Sequence, residues 1–296
     1  LRIQILHGDN GEVLPTFANG SFDLIYIDPP FNTGKVQSRT QITTTRDVDG
    51  DRTGFEGHRF RSVKVGTKSY GDSFSDYLGF LEPRLVQAHR LLSPTGSFFL
   101  HLDYREVHYA KVMLDGIFGR ESFINEIIWS YDYGARATKK WSPKHDNILW
   151  YAKNPDAYTF NYDEIDRIPY MAPGLVGAEK AERGKTPTDC WWNTIVSPTG
   201  KEKTGYPTQK PLGILERIVR VHSNAGDKLL DFFAGSGSFG EAGAKFGRDV
   251  TLIDVSDEAI AVMQTRLAAY LNPAIPPTPA TPTPASQTGL FGPRDG

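Results

Sequence analysis

The sequence predicts an α/β protein built on one sheet with helices on both faces. Three observations carry that prediction. Short apolar segments alternate with amphipathic ones along most of the chain. Near the C-terminus a strand, a small-residue turn, a helix and a second strand follow in close succession. With 296 residues, 39% of them hydrophobic, the chain also holds enough apolar material for one large core with a substantial insertion.

The strand candidates, in order, are "RIQILHG", "FDLIYID", "GSFFLHLD", "INEIIWSY", "NILWYAK", "KLLDFFAG" and "DVTLID". Between them, "SDYLGFLEPRLVQAHRLL" opens with Ser75 as N-cap and spaces its apolar residues three and four apart, and "EVHYAKVMLDGIFG" stops on a glycine. "PLGILERIVRVHS", with proline in its opening turn, and "DEAIAVMQTRLAAYL" supply helices toward the C-terminus. Two stretches break the alternation. Residues 32–72 are long, polar and without clear periodicity, and residues 154–206 are rich in Gly, Pro and charge; both are expected as long loops of the kind that carry function. From Asn272 the Pro/Thr/Ala-rich sequence cannot bury a core and is expected to be extended or disordered.

Composition narrows the function. The net charge of −2 gives no global attraction to polyanions, so any nucleic-acid surface must be a local patch. The apolar runs are short and interrupted by charge, and "LRIQILHGDN" is too polar for a secretory signal, so a cytoplasmic protein with no membrane partner is expected. A single cysteine, Cys190, forms no intramolecular disulfide and reads as a structural thiol. The seven histidines lack ligand spacing, and no metal is expected.

Two segments carry chemistry. In "IYIDPPFNTG", residues 25 to 34, a strand runs into Asp28, two prolines and Phe31. In "LLDFFAGSGSFGEAGAKFGRDVTLIDVS" a strand ends at Asp231, a turn of Ala234, Gly235, Ser236 and Gly237 leads into a helix, and a second strand ends on Asp254, an acid placed to accept from ribose hydroxyls. The turn departs from the pyrophosphate pattern because Asp231 stands directly before it, where a carboxylate would repel phosphate. A cofactor bearing an ammonium and a sulfonium fits that charge, which describes S-adenosylmethionine.

These segments resemble the bacterial amino-group DNA methyltransferases, specifically the permuted β class, in which the catalytic DPPY/F motif precedes the cofactor loop. The matching stretches are "HGDNGEVLPTF", "DLIYIDPPFNTG", "TGYPTQKPLGILERIV", "DFFAGSGSFG" and "DVTLIDVS". The resemblance implies a Rossmann-like methyltransferase fold whose seven-stranded, mostly parallel sheet has one antiparallel strand. It implies a catalytic half over residues 1–153, a target-recognition region over 154–206, a cofactor-binding half over 207–271 and a tail from 272 to 296. Asp28, Pro29, Pro30 and Phe31 are then the catalytic residues. The cofactor pocket draws on Asp9, Asp28, Gln209, Lys210, Asp231, Phe232, Ala234, Gly235, Ser236, Gly237 and Asp254.

The chemistry behind the motif is specific. An exocyclic amine is a poor nucleophile because its lone pair is delocalised into the ring. The Asp28 carboxylate and the Pro29 carbonyl can each accept one N–H and favour the pyramidal nitrogen that attacks a methyl group in line. Consecutive prolines fix φ and add no competing N–H. Phe31 supplies a stacking face for a base taken out of the duplex. Adenine N6 is the favoured target and cytosine N4 the alternative; a protein glutamine amide and a non-catalytic nucleotide-binding module are the readings that remain beside them. Cytosine carbon-5 chemistry, which needs a thiolate nucleophile, is not expected, because Cys190 has no proline before it.

The DNA surface is expected from two basic stretches. Lys35, Arg39, Arg59 and Arg61 lie in the segment that follows the catalytic motif, and Arg136, Lys139 and Lys140 lie in "GARATKKWSPKH". The tail ends in "QTGLF", similar to the Gln-x-x-Leu-Phe peptides that dock on sliding clamps, with Gln287, Leu290 and Phe291 matching and Thr288 and Gly289 departing from the usual middle residues. An unstructured terminus is the alternative there. A homodimer is the other partner the resemblance implies.

Overall fold

Strands buried on both faces read as unbroken apolar runs, and that is how the centre of this sheet is built. The computed structural model describes residues 1–46, 52–53, 59–72, 74–134, 136–197, 200 and 202–271, with side chains outside 35–71. In chain order its elements are β1 (Ile3–His7), α1 (Asn10–Val13), β2 (Phe22–Ile27), β3 (Lys35–Arg46), β4 (Arg52–Thr53), β5 (Arg59–Asp72), α2 (Tyr77–Leu91), β6 (Leu92–Leu102), α3 (Val107–Phe118), β7 (Phe123–Ser130), β8 (His145–Ala152), α4 (Ala178–Arg183), β9 (Cys190–Trp192), α5 (Leu212–His222), β10 (Lys228–Asp231), α6 (Ser238–Lys245), β11 (Asp249–Asp254), α7 (Asp257–Arg266) and α8 (Ala268–Leu271).

The main sheet has the order β1-β11-β10-β2-β6-β8-β7-β9. Every pairing is parallel except those of β8 with β6 and β7, so β8 alone of these strands runs against the rest. The seven strands expected from the sequence are present with one antiparallel member, and the three-residue β9 adds an eighth at the edge.

Alternation along the strands divides the core. On β2, Ile25 and Ile27 pack with Leu81, Leu85 and Leu114 of α2 and α3, whereas Leu24 and Tyr26 pack on the other face with Ile218 of α5, Ala242 of α6 and Met263 of α7. Helix α6 approaches β10 and β11 closely: a Cβ on Gly240 would stand 2.5 Å from Leu252, and one on Gly243 would stand 2.6 Å from Val250.

Three expectations need correction. Within residues 32–72 the described segments from Lys35 on are strands rather than loop: β3 and β5 pair from Lys35↔Asp72 to Arg46↔Phe60 in a long antiparallel hairpin, with β4 on β5. Helix α2 is capped by Asp76, which accepts from the Gly79 N–H at 2.8 Å, and not by Ser75. Cys190 is exposed on β9, so it is no buried structural thiol. Beside it, Trp191 lies under Arg217 and Trp192 is 40% exposed. Among the described residues no helix is long and apolar enough to cross a membrane.

One buried group ties stability to pH. His222 packs against Phe99, Trp150 and Phe160, and burial pushes its imidazole down to about 3. Unfolded, it titrates at about 6.5, so between those values the unfolded chain binds the extra proton and folding weakens as pH falls. Unfolding measured by denaturant at pH 6.5 and pH 5 should show about 2 kcal/mol less stability at the lower pH from this residue, and His222→Phe should remove that part of the slope.

Candidate active site

Parallel strands bind ligands outside their carboxyl ends, and here those ends carry acids. Asp9 follows β1, Asp254 closes β11, Asp231 closes β10, and Asp28 follows β2. The four strands are successive neighbours in the sheet, so four carboxylates line one edge. They border a cleft of about 430 Å³ that Tyr26, Pro29, Pro30, Phe31, Gln209, Lys210, Phe232, Ala234, Gly235 and Ser236 also line.

Asp28 is held from one side only. Lys210 Nζ donates to its Oδ2 at 2.5 Å and lies 4.7 Å from the centre of the Phe31 ring. Asp28 Oδ1 is buried and has no hydrogen-bond partner. An unpartnered buried carboxylate oxygen is costly unless a ligand N–H completes it.

The residues after the motif are staples. The Asp72 carboxylate accepts from Asn32 N at 2.7 Å and from Thr33 N and Oγ1 at 3.2 and 2.6 Å, while the Asn32 side chain donates to Glu106 and accepts from Phe74 N. The root of the β3–β5 hairpin is thereby fixed to the segment that carries Phe31. Behind the motif, Tyr26 Oη donates to His101 Nδ1 at 2.7 Å, and His101 Nε2 donates to Asp146 Oδ2 at 3.2 Å. Burial, reinforced by Asp28, raises the Tyr26 phenol and keeps it a donor. The Tyr131 hydroxyl bonds the other Asp146 oxygen at 3.1 Å, and the His101 ring lies 6.0 Å from Phe31.

On the cofactor side, burial pushes the Asp231 carboxyl well above the usual carboxylate range, and nearby Asp28 and Asp254 add to the shift against the Phe233 N–H. Burial raises Asp254 as well, although its oxygens accept from Gly235 N at 2.8 Å and Ser256 N at 2.9 Å. A positively charged ligand would relieve both acids. Gly235 sits at φ +49° and Tyr206 closes over it.

Of the expected site residues, Gly237 lies outside the lining, and Gln209 and Asp9 line the cleft while carrying structural bonds as well. Gly237 does not line the cleft; at φ +73° it starts α6, its N–H is bound to Ala234 O, and a Cβ there would meet Met263 at 2.8 Å. Gln209 lines the cleft but its amide is engaged by Thr204 and the Glu202 carbonyl, so it shapes the loop before α5. Asp9 caps α1 through Gly11 N and pairs with Arg84 at 3.3 Å. The sequence reading missed Asn10, Arg84, Phe80, Phe233 and Tyr206 as lining residues, although Asn10, Tyr206 and Phe233 lay inside quoted motifs. Arg136, Lys139 and Lys140 are exposed on the β7–β8 loop, with Arg136 paired to Asp132 at 2.6 Å. The side chains of Lys35, Arg39, Arg59 and Arg61, and the tail with Gln287, Leu290 and Phe291, lie outside the described residues.

Comparison with known proteins settles the family. The model of the N6/N4 DNA methylase family matches residues 22–265, which spans both the Asp28 motif and the Asp231 turn. The chain belongs to this family. A relative is the type II methyltransferase M.HpaI of Haemophilus parainfluenzae, 30% identical over 88% of this chain and 73% of that protein. The DNA adenine methyltransferase YhdJ of Escherichia coli strain K12 is 28% identical over 89% of this chain and 82% of its own length. Among solved structures, the complex of M1.HpyAVI with SAM shares the fold at a TM-score of 0.58 and 22% identity, covering 90% of this chain and 98% of that one. The DNA methylase fold therefore accounts for the sheet order, and the family for an amino-methyltransferase enzyme.

Proposed function

We propose that this DNA methylase transfers a methyl group to adenine N6 in double-stranded DNA, at a base taken out of the helix. The single observation that carries the reading is the buried, unpartnered Asp28 Oδ1 at the mouth of a cleft ringed by acids. A free acceptor there suits an amine N–H, and the acids suit a cation. The methyl donor is S-adenosylmethionine, the ligand in the M1.HpyAVI complex, and its sulfonium supplies an electrophilic methyl group.

This chain's residues divide the work. Asp254 accepts from ribose hydroxyls, and Asp231, beside the Gly235 turn, faces the ammonium. Asp28 Oδ1 and the Pro29 carbonyl accept the two amine N–H groups and hold the lone pair toward the methyl carbon. Lys210 keeps Asp28 from rotating away, and Phe31 offers its ring to the base. The nitrogen gains the methyl carbon as the carbon–sulfur bond breaks, and it sheds one proton to water. The hairpin cations Lys35, Arg39, Arg59 and Arg61 and the β7–β8 loop cations hold phosphates. Residues 154–206 read the target sequence, residues 1–153 and 207–271 being the catalytic and cofactor halves of the one sheet. The protein works on the nucleoid in the cytoplasm as a homodimer; sedimentation of the full chain tests the assembly. Its tail docks on a sliding clamp, which a clamp pull-down with Leu290→Ala and Phe291→Ala tests.

Adenine is favoured by the Asp-Pro-Pro-Phe form of the motif and by the likeness to YhdJ. Nucleoside mass spectrometry after incubating DNA with labelled S-adenosylmethionine decides the matter. N6-methyladenine is the expected product, N4-methylcytosine would move the assignment to the other amine, and neither product would overturn the reading. Cofactor affinity should also rise with pH above the ordinary carboxylate range, because Asp231 and Asp254 hold protons there that the ammonium and the ribose hydroxyls, respectively, displace on binding. Calorimetry in two buffers of different ionisation heat should register proton release; uptake would contradict the assignment of these acids.

A further inference from the structure

The loop between β7 and β8 carries an anomaly. Trp141 is 98% exposed, whereas Trp129 and Trp150 are 3% and 6% exposed. A large aromatic ring left wholly in water gains nothing in the free protein, which points to a surface it meets elsewhere. Tyr133, 54% exposed, stands in the same loop. Residues 131–144 hold Arg136, Lys139, Lys140 and Lys144 against Asp132, four cations and one acid, so the segment is net positive in a chain of net charge −2.

Its place in the sheet is as informative as its composition. Strand β7 is parallel to β6 and β2, so its end at Ser130 lies on the same edge as Asp28. The loop's root is tied to the catalytic motif: Tyr131 bonds Asp146, Asp146 bonds His101, and the His101 ring stands by Phe31. At roughly 4.8 Å per strand, the three steps from β2 to β7 put the loop on the order of 15 Å to one side, within the width of a duplex. Phe31 is thus set to receive a base, and Trp141 stands exposed in the loop to one side.

We propose that Trp141 inserts into the duplex where the target base leaves it, stacking on the neighbours that extrusion strips of their partner, while Lys139 and Lys140 contact the flanking phosphates. This rests on the DNA reading above. An aromatic face accepts any base, so the role demands no sequence preference.

The test compares methyl transfer on two oligonucleotides carrying a site first mapped with the wild-type protein, one fully paired and one with the target base mispaired. Trp141→Ala should lower kcat/KM on the paired duplex about tenfold or more, the effect of losing one base–aromatic stack. On the mispaired duplex, where extrusion costs less, the deficit should shrink to a few-fold, roughly, and Trp141→Phe should keep most of the activity on both. Binding of S-adenosylmethionine should be unchanged, which checks the fold. Equal losses on the two duplexes would overturn the wedge in favour of simple docking, and no loss on either would assign Trp141 to another partner. If the wild-type protein labels no DNA, the DNA reading itself fails and takes this proposal with it.

Discussion

Asp28→Ala is expected to lower methyl transfer by at least about a hundredfold to a thousandfold, the range seen when one preorganised polar group at a reacting centre is removed. Two effects add. The amine loses the acceptor that holds its lone pair in place, and Lys210 loses its anion and is free to take up the amine's position over Phe31. Binding of S-adenosylmethionine should stay within a few-fold, roughly, because removing a carboxylate weakens the attraction for a cation without changing the Asp231 turn. Asp28→Asn separates the contributions: it keeps an acceptor oxygen and loses the charge that Lys210 answers. Single-turnover transfer and calorimetry on the same preparations check both, and an alanine variant that fails to bind cofactor but transfers at the normal rate when saturated would reverse the division of roles.

Gly235→Val should do the opposite and block cofactor binding. The backbone there is left-handed, φ +49°, a conformation that costs a residue with a Cβ roughly 1–2 kcal/mol and a β-branched one more. The new Cβ would also stand 3.3 Å from Tyr206, which cannot retreat without opening the cleft. Because the Gly235 N–H binds Asp254 Oδ2, any shift of the turn moves the acid that meets the ribose. An affinity loss of about a hundredfold or more is expected, equivalent to about 3 kcal/mol, and the backbone strain should also lower the melting temperature by about a few degrees. Gly237→Ala tests the structural reading of its neighbour: it should lower the melting temperature, through the contact with Met263, more than it weakens binding by the folded fraction.

What could be read in advance follows from how local each signal is. Asp28, Asp231 and Asp254 were legible because a strand ending on an acid before a turn is visible in one stretch of chain. The hairpin was not. "KVQSRTQITTTR" lacks the apolar alternation that marks a half-buried strand, and its β-branched Val36, Ile42 and threonines were the β signal available. Ser75 and Asp76 are both good caps side by side, and only the helix's docking chooses between them. Gly237 belonged to the right motif for a different reason: it gives α6 its start. The His101–Asp146 bond joins positions 45 apart that meet only because β6 pairs with β8, so no sequence window contains it. Gln209 matched its motif, yet its amide serves the loop.

The pairing of β2 with β10 has a consequence for how the protein is made. Asp23 accepts from the backbone of Lys228, partners 205 positions apart, and Leu24 lies beside Leu229. A ribosome therefore delivers the catalytic strand early and its neighbour late, with β6 as the one partner at hand in between. Throughout that interval Leu24 and Tyr26 face no covering helix, since α5, α6 and α7 are all still to come. Contact-order reasoning then expects slow folding, with a sticky edge exposed while the chain waits. It also means that no chain short of Ser256 holds the complete lining of the cleft.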